Sequence, residues 1–241
     1  MEALLKVRSV SKHFGGFTAL EQVSVDIRAG ERFGLIGPNG SGKTTLINCI
    51  SGALRTDGGS IVFDGEEVSA LPAYQRTRRG IARSFQMPRP FTSMSVLENL
   101  VVPLEYVRHR GTLHIADTRA EALEILRLVG LQDKAQTQSN RLTQVELRKL
   151  ELARAMAARP RLLISDESMA GLSGNEVEEV LAILRTLNES GITIVMIEHI
   201  MQAVMRFSQR VVCLDAGRII CEGTPEQIVQ NPEVQRAYLG A

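Results

Sequence analysis

The residues best suited to chemistry form a glycine-rich run that fits the pattern G-x-x-x-x-G-K-[ST]. The run consists of Gly37, Pro38, Asn39, Gly40, Ser41, Gly42, Lys43, Thr44 and Thr45. Glycines let the backbone turn tightly, so several N–H groups can converge on one anion. Lys43 is placed to reach the β- and γ-phosphates of a nucleoside triphosphate, and the Thr44 hydroxyl to reach Mg²⁺. The run therefore predicts a triphosphate-binding loop.

The sequence on either side of this run supports the same prediction. An apolar stretch, 33–36, leads into the loop and is typical of a strand, and residues 44–50 lead out as a helix. Strand, glycine loop and helix in this order distinguish a phosphate-binding P-loop from a chance glycine turn. The N-terminus of the helix would add its positive dipole end to the anion site.

Two acidic residues, Asp166 and Glu167, follow the apolar segment 162–164 directly. A parallel strand would place both carboxylates at its carboxyl end, the edge at which such sheets bind ligands. Asp166 would hold Mg²⁺ through water, and Glu167 would orient or deprotonate the attacking water. The alternative is that these acidic residues serve the N-terminus of a neighbouring helix.

Two further polar residues are candidates for the site only because the chain has a P-loop. His199 follows a buried-type strand at 192–197 and could polarise the γ-phosphate and link Glu167 to it. Gln86 lies where the strand-rich part of the chain gives way to a helical part, and there it could sense the γ-phosphate. Taken alone, each would be an ordinary loop residue.

The elements that must position these residues follow from hydrophobic periodicity. Strand patterns surround the P-loop, and helix patterns over 118–129 and 146–158, with a capping box at 95–98, fill the middle of the chain. The last third alternates strand and helix, then forms a hairpin over 211–220. We predict an α/β fold with a parallel-sheet core, an antiparallel β portion and a helical insertion. The single domain, 1–241, divides into a core (1–87 and 158–241) and a helical subdomain (88–157).

Composition argues against several classes of protein. With 28 basic and 27 acidic residues, the chain has no strong overall charge to draw it to nucleic acid or to an anionic membrane. It has no run of 18 apolar residues, which a membrane-spanning helix would need, and no signal-peptide pattern at its N-terminus. Three separated cysteines in apolar contexts predict buried free thiols in a reducing compartment.

The order of these motifs over nearly the whole chain resembles ATP-binding cassette (ABC) ATPases. The resemblance implies a P-loop NTPase (RecA-like) core and implies ATP and Mg²⁺ as ligands. The resemblance assigns Gln86 a catalytic role. It also implies that Gln86, Thr44 and Asp166 bind the Mg²⁺ ion. Phe14 would stack on the adenine, and the alternative for Phe14 is a core aromatic. Ser173 stands where the family carries an aspartate, which would weaken one contact between subunits.

A departure from the family lies in its signature segment, which reads leucine, serine, glycine, glycine, glutamine. Here the segment is Leu142, Thr143, Gln144, Val145 and Glu146, so both glycines are replaced. In the family this segment contacts the γ-phosphate bound to the opposite subunit. Thr143 and Glu146 still form a T-x-x-E capping box, so the helix N-terminus can persist. Either that helix end suffices for the partner's ATP, or the site it completes is weak and the dimer is asymmetric.

The stretches 12–20, 80–100, 197–214 and 223–240 are similar to ATP-binding subunits of branched-chain amino acid importers. This implies a peripheral subunit on the cytoplasmic face of the membrane that drives a separate permease. A second ATPase subunit, and indirectly an external solute-binding protein, would be its partners. The alternatives are a low-turnover subunit in an asymmetric heterodimer and a non-transport ATPase acting on DNA or ribosomes. We expect no nucleic-acid partner, because the chain shows no coiled coil, tandem core or basic patch.

Overall fold

The computed structural model describes residues 3–85, 87–108 and 115–239. Its strands are β1 (Ala3–Phe14), β2 (Phe17–Arg28), β3 (Arg32–Ile36), β4 (Gly58–Phe63), β5 (Glu66–Glu67), β6 (Ile81–Ser84), β7 (Leu162–Asp166), β8 (Thr193–Ile197), β9 (Arg210–Asp215) and β10 (Arg218–Gly223). Its helices are α1 (Lys43–Ser51), α2 (Ala73–Arg78), α3 (Val96–Arg108), α4 (Ile115–Leu128), α5 (Gln144–Met156), α6 (Gly174–Glu189), α7 (Met201–Phe207), α8 (Pro225–Gln230) and α9 (Pro232–Leu239). Two short 3-10 helices, Gln132–Lys134 and Ser139–Arg141, precede α5.

The strands form two sheets. The larger has the order β10-β9-β3-β8-β7-β6, and β9, β3, β8, β7 and β6 run parallel while β10 pairs antiparallel with β9. The smaller is antiparallel, in the order β2-β1-β4-β5. The predicted parallel core, antiparallel portion and β9–β10 hairpin are confirmed. Parallel order brings the carboxyl ends of β3, β7 and β8 to one edge, where the candidate residues follow.

The helix that begins at the P-loop is buried among residues of both sheets. Leu46 and Ile50 of α1 belong to a hydrophobic cluster with Leu5 and Phe63 of the antiparallel sheet and Val195 of the parallel sheet. Burial of several large apolar side chains, each worth about 2 kcal/mol, fixes the position of α1. The phosphate-facing end of the helix is therefore held rigidly.

A buried arginine satisfies the other end of α1. Arg76 of α2 is 1 % exposed, and its guanidinium donates hydrogen bonds to the carbonyl oxygens of Cys49 and Ile50. It also donates to the carbonyl oxygens of Leu71 and Ser69, at 2.9 Å each. The last carbonyls of a helix lack partners within the helix, and a cation there favours the negative dipole end. The sequence did not predict this cap.

The middle of the chain packs as a helical layer. Leu97 and Leu104 of α3, Leu126 of α4 and Leu150 of α5 share one cluster. Leu152 of α5 belongs instead to the cluster on the outer face of the parallel sheet, so α5 joins the two parts. The structure begins α4 and α5 a few residues earlier than the periodicity predicted. The exact division at 88–157 remains a prediction.

The predicted capping box at the start of α3 is present. The backbone N–H of Ser95 donates to Glu98 Oε2 at 2.8 Å, and that of Glu98 donates to Ser95 Oγ at 3.2 Å. Among the described residues, no helix combines the length and apolar character of a bilayer span. All three cysteines are free thiols: Cys49 and Cys213 are buried, as predicted, whereas Cys221 is half-buried.

Candidate functional site

The P-loop connects the end of β3 to the start of α1, and two of its glycines are required by close backbone approach. A Cβ at Gly37 would lie 2.2 Å from the carbonyl oxygen of Leu214, and one at Gly42 would lie 2.6 Å from that of Ala19. Gly42 has φ 104°, in the left-handed region that favours glycine. A larger residue at either position would therefore displace the loop.

Lys43 and Ser41 supply the polar groups inside the loop. Lys43 is 6 % exposed, and its Nζ donates to the carbonyl oxygens of Gly37 at 2.7 Å and Pro38 at 3.0 Å. Burial lowers the pKa of Lys43, although the negative charges of Glu167 and Asp166 act to raise it. Ser41 Oγ is buried and has no hydrogen-bond partner among the described residues. An unpaired buried hydroxyl beside a buried ammonium fits an anionic ligand, so the loop fits a phosphate group.

Glu167 and His199 come together at the edge of the parallel sheet. Glu167 directly follows β7, His199 lies between β8 and α7, and His199 Nε2 lies 2.8 Å from Glu167 Oε1. The Glu167 side chain is 16 % exposed and that of His199 is 50 % exposed. The two side chains that the sequence analysis linked are therefore in contact, and both remain accessible from the P-loop side.

Asp166 is paired with an arginine that the sequence analysis missed. Asp166 is 7 % exposed, and its Oδ2 accepts hydrogen bonds from Arg83 Nη2 at 2.5 Å and Nε at 3.2 Å. Arg83 Nη1 also donates to Asn48 Oδ1 of α1 at 2.6 Å. Glu167 lines the same cavity as Lys43, the first residue of α1, so the alternative that the acidic pair serves a helix N-terminus stays a prediction. Gln86 lies outside the described residues.

An open cavity of about 250 Å³ joins these groups to the β1–β2 hairpin. Residues 39–45, Phe14, Phe17, Glu167 and His199 all contribute to its lining. Phe14 is 49 % exposed, so the alternative that it is a core aromatic is wrong. Phe17 pairs with Phe14 across the hairpin and is 62 % exposed. The sequence analysis missed Phe17, although its closeness to Phe14 in sequence was a usable signal.

The C-terminal helix also reaches the P-loop. The hydroxyl of Tyr238, in α9, accepts a hydrogen bond from the backbone N–H of Gly37 at 2.7 Å. Burial raises the pKa of Tyr238 to about 12, so the hydroxyl stays protonated near neutral pH. The sequence analysis missed this residue, and its only signal was its place in the family-like C-terminal stretch.

The signature segment begins α5 with the predicted capping box. The N–H of Thr143 donates to Glu146 Oε2 at 2.9 Å, and the N–H of Glu146 donates to Thr143 Oγ1 at 3.4 Å. Gln144, which replaces the first signature glycine, lies against Gly171: a Cβ on Gly171 would be 2.9 Å from Gln144 Nε2. Residues 142–146 are not part of the described lining of the chain's own P-loop cavity.

Ser173 begins α6 by a related arrangement, in which its hydroxyl donates a hydrogen bond whereas the hydroxyl of Thr143 accepts one. Its N–H and hydroxyl both donate to Glu176 Oε2, at 2.8 and 2.7 Å. Serine therefore serves as an N-cap where the family's aspartate would stand.

Comparison with known proteins shows the family of the chain. Residues 20–170 match the family model described as ABC transporter, and residues 218–241 match the model described as branched-chain amino acid ATP-binding cassette transporter. The high-affinity branched-chain amino acid transport ATP-binding protein BraF of Pseudomonas aeruginosa is 38 % identical, with 98 % of each chain covered. The high-affinity branched-chain amino acid transport ATP-binding protein LivG of Escherichia coli K12 is 38 % identical over 99 % of this chain and 98 % of its own.

Solved structures agree with the sequence comparisons. The ADP conformation of MJ1267, an ATP-binding cassette of an ABC transporter, has a TM-score of 0.90 at 28 % identity, covering 100 % of both chains. The dimeric structure of MJ0796, a bacterial ABC transporter cassette, has a TM-score of 0.83 at 28 % identity, covering 92 % of this chain and 98 % of the other. The chain therefore belongs to the ATP-binding, ATP-hydrolysing cassettes of the ABC transporter family.

Proposed function

We propose that this chain powers an importer for branched-chain amino acids or a related small polar or organic-acid solute by driving a separate membrane permease. Relatives described as branched-chain amino acid transport proteins match it over nearly their full length. The C-terminal match at 218–241 supports the same solute class. The permease and any solute-binding protein would select the solute, because we assign the cavity beside the P-loop to ATP.

The contact between Glu167 and His199 beside the P-loop carries the proposed mechanism. With ATP bound, Lys43 exchanges its contacts with the loop carbonyls for the β- and γ-phosphates, while the loop N–H groups and Ser41 Oγ bind the phosphate oxygens. Glu167 orients the attacking water and accepts its proton, and His199 polarises the γ-phosphate. Phe14 stacks on the adenine. Positioning and electrostatic stabilisation supply most of the rate enhancement in this kind of reaction.

Mg²⁺ would neutralise the developing charge on the phosphates. We assign it to the Thr44 hydroxyl, to Asp166 through water, and to Gln86. Both hydrogen bonds from Arg83 go to Oδ2 of Asp166, so Oδ1 is the atom proposed for the water shell. A water-mediated role suits a carboxylate that one guanidinium already holds in place.

The site also requires a second ATPase subunit. The signature segment lies apart from its own P-loop cavity, and the solved structure of the related cassette MJ0796 is described as dimeric. We propose that this chain pairs head-to-tail with a second cassette, so that each signature segment faces the partner's ATP. The complex would lie on the cytoplasmic face of the membrane, without a nucleic-acid partner.

Phosphate release tests this proposal most directly. The chain is assayed alone and with the permease that co-purifies with it, reconstituted in lipid nanodiscs, and Lys43→Ala serves as the inactive control. We expect the permease to stimulate turnover, and branched-chain amino acids with their binding protein to stimulate it further. Stimulation by DNA or ribosomes in place of a permease would overturn the transport assignment.

One observation favours the low-turnover alternative as a second candidate. Gln144 fills space against Gly171 that a signature glycine would leave open. If this closes the approach to the partner's γ-phosphate, the dimer should trap one nucleotide with vanadate, whereas a symmetric dimer should trap two. Counting trapped nucleotides per dimer decides between the two candidates.

A further inference from the structure

A buried carboxylate lies immediately before the histidine of the site. Glu198 is 3 % exposed, and burying a carboxylate is costly unless it is hydrogen-bonded. Its Oε1 accepts a hydrogen bond from the backbone N–H of Met169 at 2.9 Å and a longer one from Ser168 Oγ at 3.4 Å. Both donors belong to the turn that follows Glu167. Glu198 therefore joins the loop that carries His199 to the turn that carries Glu167.

The turn that Glu198 holds is conformationally strained. Glu167 has φ 49°, in the left-handed region that costs a residue other than glycine about 1 kcal/mol or more. Such a conformation persists only when surrounding contacts determine it. The described contacts include the Glu167 N–H donating to the Ile197 carbonyl oxygen at 2.8 Å, the Ala170 N–H donating to the Glu167 carbonyl oxygen at 3.3 Å, and the Ser165 and Ser168 hydroxyls, 2.8 Å apart. The two bonds to Glu198 add to these contacts.

A buried arginine from α5 reaches the same turn. Arg148 is 7 % exposed, and its Nη2 donates to the carbonyl oxygen of Ala170 at 3.2 Å. Its Nε and Nη1 have no hydrogen-bond partner among the described residues. The charges of Glu198 and Glu151 act on Arg148, and the charges of Glu167 and Arg148 act on Glu198. Arg148 therefore connects the turn to the helix that begins with the signature segment.

We infer that Glu198 is a positioning residue for ATP hydrolysis: its carboxylate fixes the turn at 167–169 so that Glu167 meets His199 in the geometry needed for water attack. The residue does not contact ATP. It acts through Met169 and Ser168 on the backbone that carries Glu167. This inference rests on the proposed ATPase mechanism and deepens it by adding a residue that neither the P-loop nor the acidic pair indicates.

Steady-state phosphate release by three variants of the full chain tests the inference. In Glu198→Ala the Met169 N–H loses its acceptor, and we expect kcat to fall at least 10-fold while KM for ATP stays within twofold. Glu198→Gln keeps an acceptor oxygen at nearly the same place, so its kcat should stay within about threefold of wild type. Glu198→Asp keeps the charge but withdraws the acceptor by about one bond length, so it should fall between the two.

A matched control separates positioning from a general loss of stability. Glu31 is also buried, at 8 % exposure, but it pairs with Arg210 at the opposite end of β3 from the P-loop. Glu31→Ala should lower the melting temperature and leave kcat and KM unchanged. If Glu198→Ala does not fold, the comparison of kcat between Glu198→Asp and Glu198→Gln still tests the inference. These two variants differ only in the position and the charge of the oxygen that accepts from the Met169 N–H.

Three results would overturn the inference. The first is a kcat for Glu198→Ala within twofold of wild type. The second is a rise in KM for ATP that accompanies the fall in kcat of Glu198→Ala. The third is an equal loss of kcat in Glu198→Ala and Glu198→Gln. The failure of the proposed function would look different: wild-type protein would then release no phosphate above the Lys43→Ala background. The two hypotheses can therefore fail separately.

Discussion

His199 Nε2 lies 2.8 Å from Glu167 Oε1, although the two residues are 32 positions apart in sequence. The contact exists because β7 and β8 are parallel neighbours, so the segments that follow them leave the sheet at the same edge. The Glu167 N–H also donates to the Ile197 carbonyl oxygen at 2.8 Å. Backbone and side-chain bonds thus fix the same pair of segments.

Replacing Glu167 by Gln should separate ATP binding from ATP turnover. The amide keeps the size of the side chain but cannot accept a proton from water, so we expect ATP affinity within about threefold of wild type. Steady-state phosphate release should fall at least 100-fold, within the contribution usual for a general base. Binding of a fluorescent ATP analogue and a phosphate-release assay measure the two quantities. Undiminished phosphate release would remove Glu167 from this role.

Restoring the glycines of the signature segment tests whether clearance limits activity. Gln144→Gly combined with Val145→Gly removes the side chain that lies against Gly171, and we expect phosphate release to be preserved or raised. The cost is at most about 1 kcal/mol of stability per glycine, because both positions lie in the first turn of α5 and not in its interior. A large loss of activity would mean that the two side chains are adapted to a particular partner. Thr224→Ala, which removes the N-cap of α8 outside the signature segment, controls for destabilisation alone.

Tyr238→Phe should weaken ATP binding without slowing the chemical step. The variant removes the hydroxyl that accepts the Gly37 N–H, a hydrogen bond worth about 1 kcal/mol. We therefore expect KM for ATP to rise about threefold to fivefold and kcat to remain within twofold. Tyr74→Phe is the matched control, because Tyr74 is 49 % exposed and contacts only Gln75 through its hydroxyl among the described hydrogen bonds. An unchanged KM in Tyr238→Phe would contradict a role in holding the loop.

Glu198 should make stability fall as the pH rises. Burial raises the pKa of Glu198 from 4.5 to about 7 in the folded state, and the charge of Glu167 acts in the same direction. Between these pH values the folded state keeps a proton that the unfolded chain has lost, so the free energy of unfolding decreases with pH. At about 1.4 kcal/mol per pKa unit, the loss approaches about 3 kcal/mol.

Urea unfolding at pH 5, 6, 7 and 8 measures this dependence. Glu198→Gln has no proton to lose at this position, so its free energy of unfolding should decrease less steeply over the same range. Identical slopes for wild type and variant would show that Glu198 ionises at an ordinary pH.

Arg76→Ala should destabilise the whole domain. The substitution leaves buried carbonyl oxygens at the end of α1 without a donor, and each buried unsatisfied group costs about 1–3 kcal/mol. We expect the free energy of unfolding to fall by about 3 kcal/mol or more. Arg79→Ala, which breaks an exposed pair with Glu66, should change it by less than about 0.5 kcal/mol. Equal effects of the two substitutions in urea unfolding would contradict the capping role of Arg76.

Local patterns carried most of what the sequence analysis predicted correctly. The P-loop was recognisable because its glycines, Lys43 and Thr44 act within nine consecutive residues. The capping boxes at Ser95 and Thr143 were readable for the same reason, since a helix N-cap depends on residues three positions apart. Asp166 and Glu167 were placed correctly because an apolar strand precedes them directly.

The sequence by itself therefore determined that this chain binds a nucleotide and which segments form the site, because those signals are short-range. Only the tertiary structure decided which side chains support the site. Arg83 and Asp166 are 83 positions apart, and Gly37 and Tyr238 are 201 apart. Such contacts depend on the order of strands in the sheet and on the docking of α9, which no local pattern encodes. Glu198 likewise became significant only when folding buried its carboxylate against the turn that carries Glu167.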